Sequence, residues 1–124
     1  MSVDDTTTLD ASVLAALSDS VGGDVAFVAD LVETYLSDGA VQLAAIDEAV
    51  RSSEAEALVR PAHTLKSSSR TVGANRLGEL SRQIEMLGRS GSTMGAGELA
   101  AEAGTEWTDV EAALRAWLSD GAAT

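Results

Sequence analysis

Apolar residues recur every three or four positions along most of the chain, which is the spacing of one face of an α-helix. The first such stretch contains four apolar residues: Leu9, Val13, Leu14 and Leu17. Gly22 and Gly23 follow and predict its end. Residues 1–8, which precede the stretch, are predicted to be a disordered lead-in. The N-terminal pattern therefore predicts one short helix.

A second amphipathic stretch begins after Asp24, whose side chain can cap a helix N-terminus. Its apolar positions are Val25, Val28, Leu31, Val32, Tyr35 and Leu36. Ser37–Gly39 is a weak point, and the pattern resumes at Leu43, Ile46 and Val50. The sequence leaves open whether this region is one long bent helix or two helices in series.

The third stretch begins with Ser53 and Glu56, which have the spacing of a capping box. Its apolar face is predicted to contain Leu58, Ala62, Leu65, Ser69 and Val72, and Gly73 is the predicted stop. Pro61 lies inside this pattern, where proline removes a backbone donor and clashes with the preceding turn. Either the helix is kinked there or Ser53–Arg60 is a separate short helix. The continuity of the pattern favours the kink.

Two further stretches complete the chain. The fourth is marked by Leu77, Leu80, Ile84 and Leu87, and the glycine-rich segment Gly88–Gly97 after it predicts a flexible loop. The last helix is marked by Leu99, Ala103, Trp107, Val110, Leu114 and Trp117. The expected fold is all-α: an antiparallel four-helix bundle over residues 9–119, with a short additional N-terminal helix and a flexible tail at 120–124.

Composition narrows the class of protein. The apolar fraction is 45%, aromatics are only 3%, and there is one proline, which favours helices over strands. The net charge of −12 argues against nucleic acid or an anionic membrane as a partner. One histidine and no cysteine argue against a metal site. No apolar run is long enough to cross a membrane, and the start does not resemble a secretory signal. We therefore expect a cytoplasmic protein, and a monomer.

The lone histidine and the lone lysine lie close together on the third helix. With Leu65 set to zero on a helical projection, His63 falls at about 160°, Arg70 at about 140°, Val59 at about 120° and Lys66 at about 100°. This places them on the outer face. An exposed imidazole can accept a phosphoryl group, and neighbouring cations can neutralise its charge. The plain alternative is a surface histidine without a role, a solubilising lysine, and Arg70 paired with Glu56 or another acid.

The residues around this histidine resemble a known family. Residues 62–69 read AHTLKSSS, residues 72–74 read VGA, and Leu77 follows. This resembles the histidine-containing phosphotransfer (HPt) domain, whose pattern joins His, Leu, Lys and Gly-Ala at fixed spacing. Phe27, Leu31 and Tyr35 upstream, and the segment from Leu80 to Glu85 downstream, are also similar to the family. The resemblance covers most of the chain, from Leu9 to Leu118.

The resemblance implies a four-helix bundle that presents a phosphorylatable histidine. His63 would accept and donate the phosphoryl group, and Lys66 would stabilise its charge. Gly73 would form the tight connection between the two helices beside the site. Glu85 would orient the imidazole ring and favour one tautomer, although it could equally be a solvated surface acid. Ser67 stands where many members have glycine, which would narrow the partner's approach or add a hydrogen bond to the phosphoryl group.

The function implied is that of a phosphorelay carrier. His63 would take a phosphoryl group from a receiver-domain aspartyl phosphate, or from a sensor histidine kinase, and pass it to a response-regulator aspartate. No nucleotide-binding loop is visible, so the chain would be a carrier without kinase activity of its own. It would need no cofactor, because magnesium would be held by the receiver. Val59, Ser67 and Arg70 would contact the partner.

Two other functions remain open at this stage. The bundle could be an interaction module in which His63 is never phosphorylated. A hydrolase that uses His63 with one of the serines is a poorer fit, because Ser67 lies one turn along the same helix and no nucleophile elbow or oxyanion loop is visible. The sequence does not name the kinase, the regulator, the signal or the direction of phosphoryl flow. Met1 and the polar ends favour a stand-alone protein over a segment of a larger kinase.

Overall fold

The structure is a computed structural model that describes residues 8–120. Five helices account for almost all of this part of the chain, and no strand occurs among the described residues. The helices are α1 (Ala11–Ser20), α2 (Val25–Arg51), α3 (Ala55–Thr71), α4 (Asn75–Arg89) and α5 (Ala96–Asp120). The all-helical class expected from the apolar spacing is therefore confirmed.

Aspartate side chains cap the N-termini of the first two helices. The Asp10 carboxylate accepts a hydrogen bond from the Ser12 amide at 3.0 Å, and Asp24 accepts one from the Phe27 amide at 3.1 Å. Each satisfies an N–H group that has no partner within the helix. The predicted cap at Asp24 is confirmed.

Helix α2 runs through the predicted weak point without a break. Gly39 is buried there against the ring of Trp107 on α5, and a Cβ at this position would overlap that ring. Tyr35, one turn earlier, has its ring centroid 5.5 Å from that of Trp107. The glycine is thus a close-packing site and not a helix stop, so the alternative of two helices in series is wrong.

The predicted capping box at Ser53 and Glu56 is wrong. Ser53 has a φ of +53° and belongs to the turn that ends α2. The amides of Ser53 and Glu54 bond to the carbonyls of Val50 and Ala49, the pattern of a Schellman motif. Glu54 is the residue that caps α3, without a side-chain hydrogen bond. Ser53 therefore belongs to the C-terminal turn of α2 and not to the start of α3, where the sequence pattern placed it.

Helix α3 is continuous across Pro61, which is buried inside it. The alternative of a separate short helix over Ser53–Arg60 is therefore wrong. The same helix ends in a second Schellman motif, in which Gly73 has a φ of +86° and the Ala74 amide bonds to the Ser69 carbonyl. The predicted stop at Gly73 is confirmed.

The predicted loop Gly88–Gly97 is shorter than expected. Helix α4 continues through Arg89, and α5 begins at Ala96. Gly88 is buried inside α4, and the backbone carbonyl of Ala55 lies only 2.7 Å from where its Cβ would be. Only the residues between these two helices form the loop. Gly88 therefore serves helix packing and not chain flexibility.

Four of the helices pack in a ring. Helix α3 contacts α2 and α4, and α5 also contacts α2 and α4, while α1 lies on α2. Buried apolar residues from all five helices form one core. The largest fully buried side chains include Leu14, Ile46, Leu58, Leu65, Leu77, Ile84 and Leu114. This ring fixes the position of α3 against α4, where the candidate site lies.

The predictions for the chain ends are only partly within the described residues. Residues 1–7 of the predicted lead-in and residues 121–124 of the predicted tail lie outside them. Asp120, the first residue of that tail, is the last residue of α5. Among the described helices, none combines the length and the apolar character needed to span a membrane.

Candidate functional site

Helices α3 and α4 approach each other closely because α4 presents small residues to α3. A Cβ at Gly78 would lie 3.1 Å from Cγ of Arg70, and one at Gly88 would lie 3.0 Å from a methyl of Val59. Ser81, between these glycines, is fully buried. The pattern is one of small residues at helical spacing on a single face of α4. It leaves room for one long polar side chain, that of Glu85.

Glu85 is 4% exposed and lies at the centre of a charged group on α3 and α4. Its Oε2 atom accepts a hydrogen bond from Nδ1 of His63 at 3.0 Å. The same oxygen accepts from Nε and Nη2 of Arg89 at 2.9 and 2.8 Å. Its Oε1 atom lies 2.7 Å from Nζ of Lys66. Both carboxylate oxygens thus have cationic or N–H partners.

These contacts keep Glu85 ionised. Burial by itself would raise the pKa of this carboxyl group, because a buried charge loses its hydration. The ion pair with Lys66 and the hydrogen bonds from Arg89 and His63 outweigh burial and lower the pKa of Glu85 from about 4.5 to about 2. The carboxylate therefore accepts hydrogen bonds across the whole neutral range. The alternative reading of Glu85 as a solvated surface acid is wrong.

The His63 side chain is 54% exposed, in agreement with its predicted place on the outer face of α3. Because Glu85 is an ionised acceptor, the neutral ring carries its proton on Nδ1, where it donates to the carboxylate. Nε2 is then the ring nitrogen with a free lone pair. The carboxylate thus sets both the orientation and the tautomer of the imidazole.

The outward orientation expected for Lys66 is wrong. Its side chain is only 19% exposed, and its ammonium group pairs with the buried Glu85. The helical projection placed Lys66 about 60° from His63 in angle, but that side of α3 is the one covered by α4. The lysine therefore belongs to the interface between the two helices as well as to the site.

Arg89 was missed as a site residue by the sequence reasoning. Its side chain is 59% exposed, yet two of its nitrogens bond to the buried Glu85. The available signal was the spacing of four residues between Glu85 and Arg89, which lets such a pair meet on a helix. The signal was weak because Gly88 placed this end of α4 in a predicted loop.

The remaining predicted residues occupy different positions around the site. Ser67 and Arg70 are exposed on α3, whereas Val59 is half-buried with a methyl group against Gly88. Gly73 lies in the turn from α3 to α4, and the Asp10 carbonyl is 2.6 Å from where its Cβ would be. Arg70 makes no ion pair with Glu56 among the described residues, and its stem lies along Gly78.

An open apolar groove runs beside the histidine helix, between α2 and α3. Phe27 and Leu31 of α2 are among the apolar residues that line it, and its α3 wall begins at Ser68, five residues after His63. Phe27 is 49% exposed, an unusual value for a side chain of this size. The sequence reasoning used Phe27 and Leu31 only to support the resemblance and did not assign them a place in the site.

A buried hydrogen bond lies beneath this groove and joins α2 to α3. The Tyr35 hydroxyl lies 2.8 Å from Oγ of Ser69. Burial raises the pKa of Tyr35, so this hydroxyl stays protonated at neutral pH. The pair links α2 to α3 six residues after His63.

The described residues around His63 do not form the arrangement of a serine hydrolase. Among the described residues, the hydrogen bond that His63 makes is to Glu85, and Ser67 is exposed without a bond to the ring. No group of three or more His, Cys, Asp or Glu residues within 8–120 is placed to hold a metal ion. What the site offers is one exposed nucleophilic nitrogen beside two cations.

Comparison with known proteins agrees with this chemistry. A crystal structure of histidine-containing phosphotransfer protein B (HptB) from Pseudomonas aeruginosa PAO1 matches with a TM-score of 0.79 and 26% sequence identity. The match covers 87% of this chain and 91% of that one. No curated protein matched the sequence. The family model described as the Hpt domain matches residues 30–119. The chain therefore belongs to the Hpt domain family.

Proposed function

We propose that this chain is a phosphoryl carrier in two-component signalling, and that His63 is the residue that holds the phosphoryl group. The observation that carries the proposal is the hydrogen bond from Nδ1 of His63 to the buried, ionised Glu85. This bond leaves Nε2 unprotonated on an exposed ring. A phosphoryl acceptor needs these two properties together.

The transfer step follows from that geometry. The Nε2 lone pair forms a P–N bond while the P–O bond of a receiver-domain aspartyl phosphate breaks. The aspartate carboxylate leaves with the electron pair of the broken bond. The phosphorylated ring keeps its proton on Nδ1 and becomes positively charged, and Glu85 faces that charge. The same arrangement makes the reverse step accessible, because a protonated ring leaves phosphorus as a neutral imidazole.

Lys66 and Arg89 supply the positive charge that the step needs. Together with Glu85 they leave one net positive charge beside the neutral ring, which favours the approach of a phosphoryl dianion. Phosphoryl transfer depends mainly on positioning and on neutralising this charge. Magnesium is expected on the receiver, and the carrier needs no cofactor of its own.

The proposed partners are response-regulator receiver domains and a sensor histidine kinase. Ser67 and Arg70 are exposed on the helix that presents His63, and they would contact the receiver around the transferred group. The groove lined by Phe27 and Leu31 lies next to this surface and would receive apolar residues of the same partner. Val59 is less accessible than expected and would contribute only its exposed part.

The functional unit that we propose is an antiparallel four-helix bundle of α2 to α5, with α1 as a short additional helix. The ring of helix contacts and the short connections between α2, α3 and α4 support this arrangement. A monomeric state and a cytoplasmic location remain predictions.

The direct test is transfer from a phosphorylated receiver domain to the purified chain. The expected product carries acid-labile, base-stable label, and the His63→Gln variant takes none. Arg115→Ala, far from His63 in the chain and on α5, is the matched control and should be labelled like the wild type. If a folded wild-type chain binds receivers but takes no label from any of them, it is an interaction module and not a carrier.

A further inference from the structure

The side chain of Arg89 meets Glu85 at the oxygen that also holds the histidine. Nε and Nη2 of Arg89 lie 2.9 and 2.8 Å from Oε2, and Nδ1 of His63 lies 3.0 Å from the same atom. Lys66 lies on the other oxygen, at 2.7 Å. The two cations therefore divide the carboxylate between them, one oxygen each.

Because each cation holds a different oxygen, the two together fix the orientation of the Glu85 carboxylate. A carboxylate that is held by a lysine alone can turn about its last bond, because an ammonium group binds as a point charge. The guanidinium group is planar, and its two N–H groups grip one oxygen from a fixed direction. Arg89 thus holds Oε2 in the place where it accepts the Nδ1 proton of His63.

We propose that Arg89 is a positioning residue that fixes the tautomer of His63 through Glu85. The inference rests on the proposed function of His63, but its first consequence concerns the unphosphorylated protein. Arg89 does not need to touch the transferred group for this role. The contacts of 3.0 and 2.8 Å on the shared oxygen place Arg89 Nη2 no farther than 5.8 Å from His63 Nδ1.

The exposure of the two cations gives them different roles. Lys66 is 19% exposed and Arg89 is 59% exposed in their side chains. Replacement of Lys66 disturbs the packing of α3 against α4, whereas replacement of Arg89 removes a surface side chain from the end of α4. Arg89 is therefore the member of the group whose effect on the histidine can be measured with little effect on folding.

The test uses nitrogen-15 NMR of the single histidine, which gives one unambiguous imidazole signal set. In the wild type at neutral pH, the neutral ring should be predominantly protonated on Nδ1. In Arg89→Ala this population should fall, and the rate of phosphoryl acceptance should drop by roughly tenfold, as for loss of other partners that orient a reactive side chain. Arg89→Lys should restore the charge but only part of the tautomer preference.

Arg115→Ala is the matched control, because Arg115 bonds to Glu111 four residues earlier on α5, with a side-chain exposure of 60%. It should leave the NMR signals and the transfer rate unchanged. If Arg89→Ala leaves the tautomer population as it is in the wild type, or increases the Nδ1-protonated form, the inference is overturned. If the tautomer shifts as expected but no variant accepts phosphate, the inference stands and the proposed function fails.

Discussion

Two buried glutamates, at two different helix interfaces, differ in the number of cationic partners that surround them. Glu85, between α3 and α4, is 4% exposed and is contacted by Lys66, Arg89 and His63. Glu106, between α4 and α5, is 6% exposed and has one ion pair, with Nε of Arg76 at 3.3 Å. Oε2 of Glu106 and Oε1 of Glu85 are both buried without a well-directed hydrogen bond among the described residues, but Oε1 of Glu85 has the Lys66 ammonium group at 2.7 Å.

The difference follows the distribution of charge along the chain. Residues 55–89, which include α3 and α4, contain six basic and three acidic residues, whereas the rest of the chain contains two basic and seventeen acidic ones. Two of these basic residues, Lys66 and Arg89, lie on Glu85, whereas only Arg76 lies on Glu106. Glu85 thus has a cation beside each of its two oxygens, whereas Glu106 has a cation beside only one.

The largest effect is expected from comparing neutral substitutions of the two glutamates. Glu85→Gln should destabilise the fold by about 3 kcal/mol, because it leaves Lys66 largely buried without its anion. Glu106→Gln should change stability by less than about 1 kcal/mol, because the one cation beside it is half exposed. Urea unfolding of the two variants measures both values, and equal losses would remove the distinction drawn between the two interfaces.

The pH dependence of stability should report on Glu85. The pKa of Glu85 lies below its unfolded value, so its contribution is present above about pH 4.5 and is lost as the pH falls towards about 2. The loss attributable to this group should be on the order of 2 kcal/mol. Urea unfolding between pH 6 and pH 2.5 should thus show a shallower acid loss in Glu85→Gln than in the wild type. If the free energy of unfolding fell equally with pH in both proteins, the low pKa assigned to Glu85 would be contradicted.

The close approach of α3 and α4 can be tested at a glycine. Gly88→Ala should cost about 1–2 kcal/mol, because its Cβ would meet the Ala55 carbonyl and force the helices apart. Gly104→Ala on α5 is the control, because open space surrounds its Cβ. That variant should gain about 0.5–1 kcal/mol from helix propensity. Thermal unfolding compares the two, and a neutral Gly88→Ala would mean that the interface tolerates separation.

The smallest of these effects is expected at Lys66. Lys66→Ala should cost about 1 kcal/mol, because Arg89 still pairs with the buried carboxylate. It should also slow phosphoryl acceptance, in contrast to Lys66→Arg, which keeps the charge. Stability and transfer rate are measured on the same preparations. If Lys66→Ala slowed transfer without changing stability, Lys66 would face solvent, as the helical projection predicted, and would not stabilise the α3–α4 interface.

The sequence predicted the elements of the fold better than the contacts between them. Apolar spacing located the helices, and Asp24 and Gly73 marked a start and an end correctly, because caps depend on local backbone geometry. Gly39 was interpreted as part of a weak point and Gly88 as the start of a loop, although both are buried where another helix approaches. Helix propensity cannot distinguish a glycine that breaks a helix from one that lets two helices meet.

The candidate site was also predicted only in part, because a sequence pattern shows the faces of one helix but not its contacts with the next. The motif singled out His63 as the candidate reactive residue, and the helical projection placed it correctly on the exposed face of α3. The projection of one helix does not reveal where its neighbour lies, so Lys66 was placed in solvent instead of at the α4 interface. The role of Arg89 depends on the direction of a buried carboxylate, which only the packed structure provides.

The central claim is that Nε2 of His63 accepts the phosphoryl group because Glu85 holds the proton on Nδ1. The most direct measurement is long-range proton–nitrogen NMR of the chain after transfer from a phosphorylated receiver domain. The expected result is one phosphohistidine with phosphorus bonded to Nε2 and a proton retained on Nδ1. Phosphorus bonded to Nδ1, or an unmodified ring after productive contact with the receiver, would contradict the account.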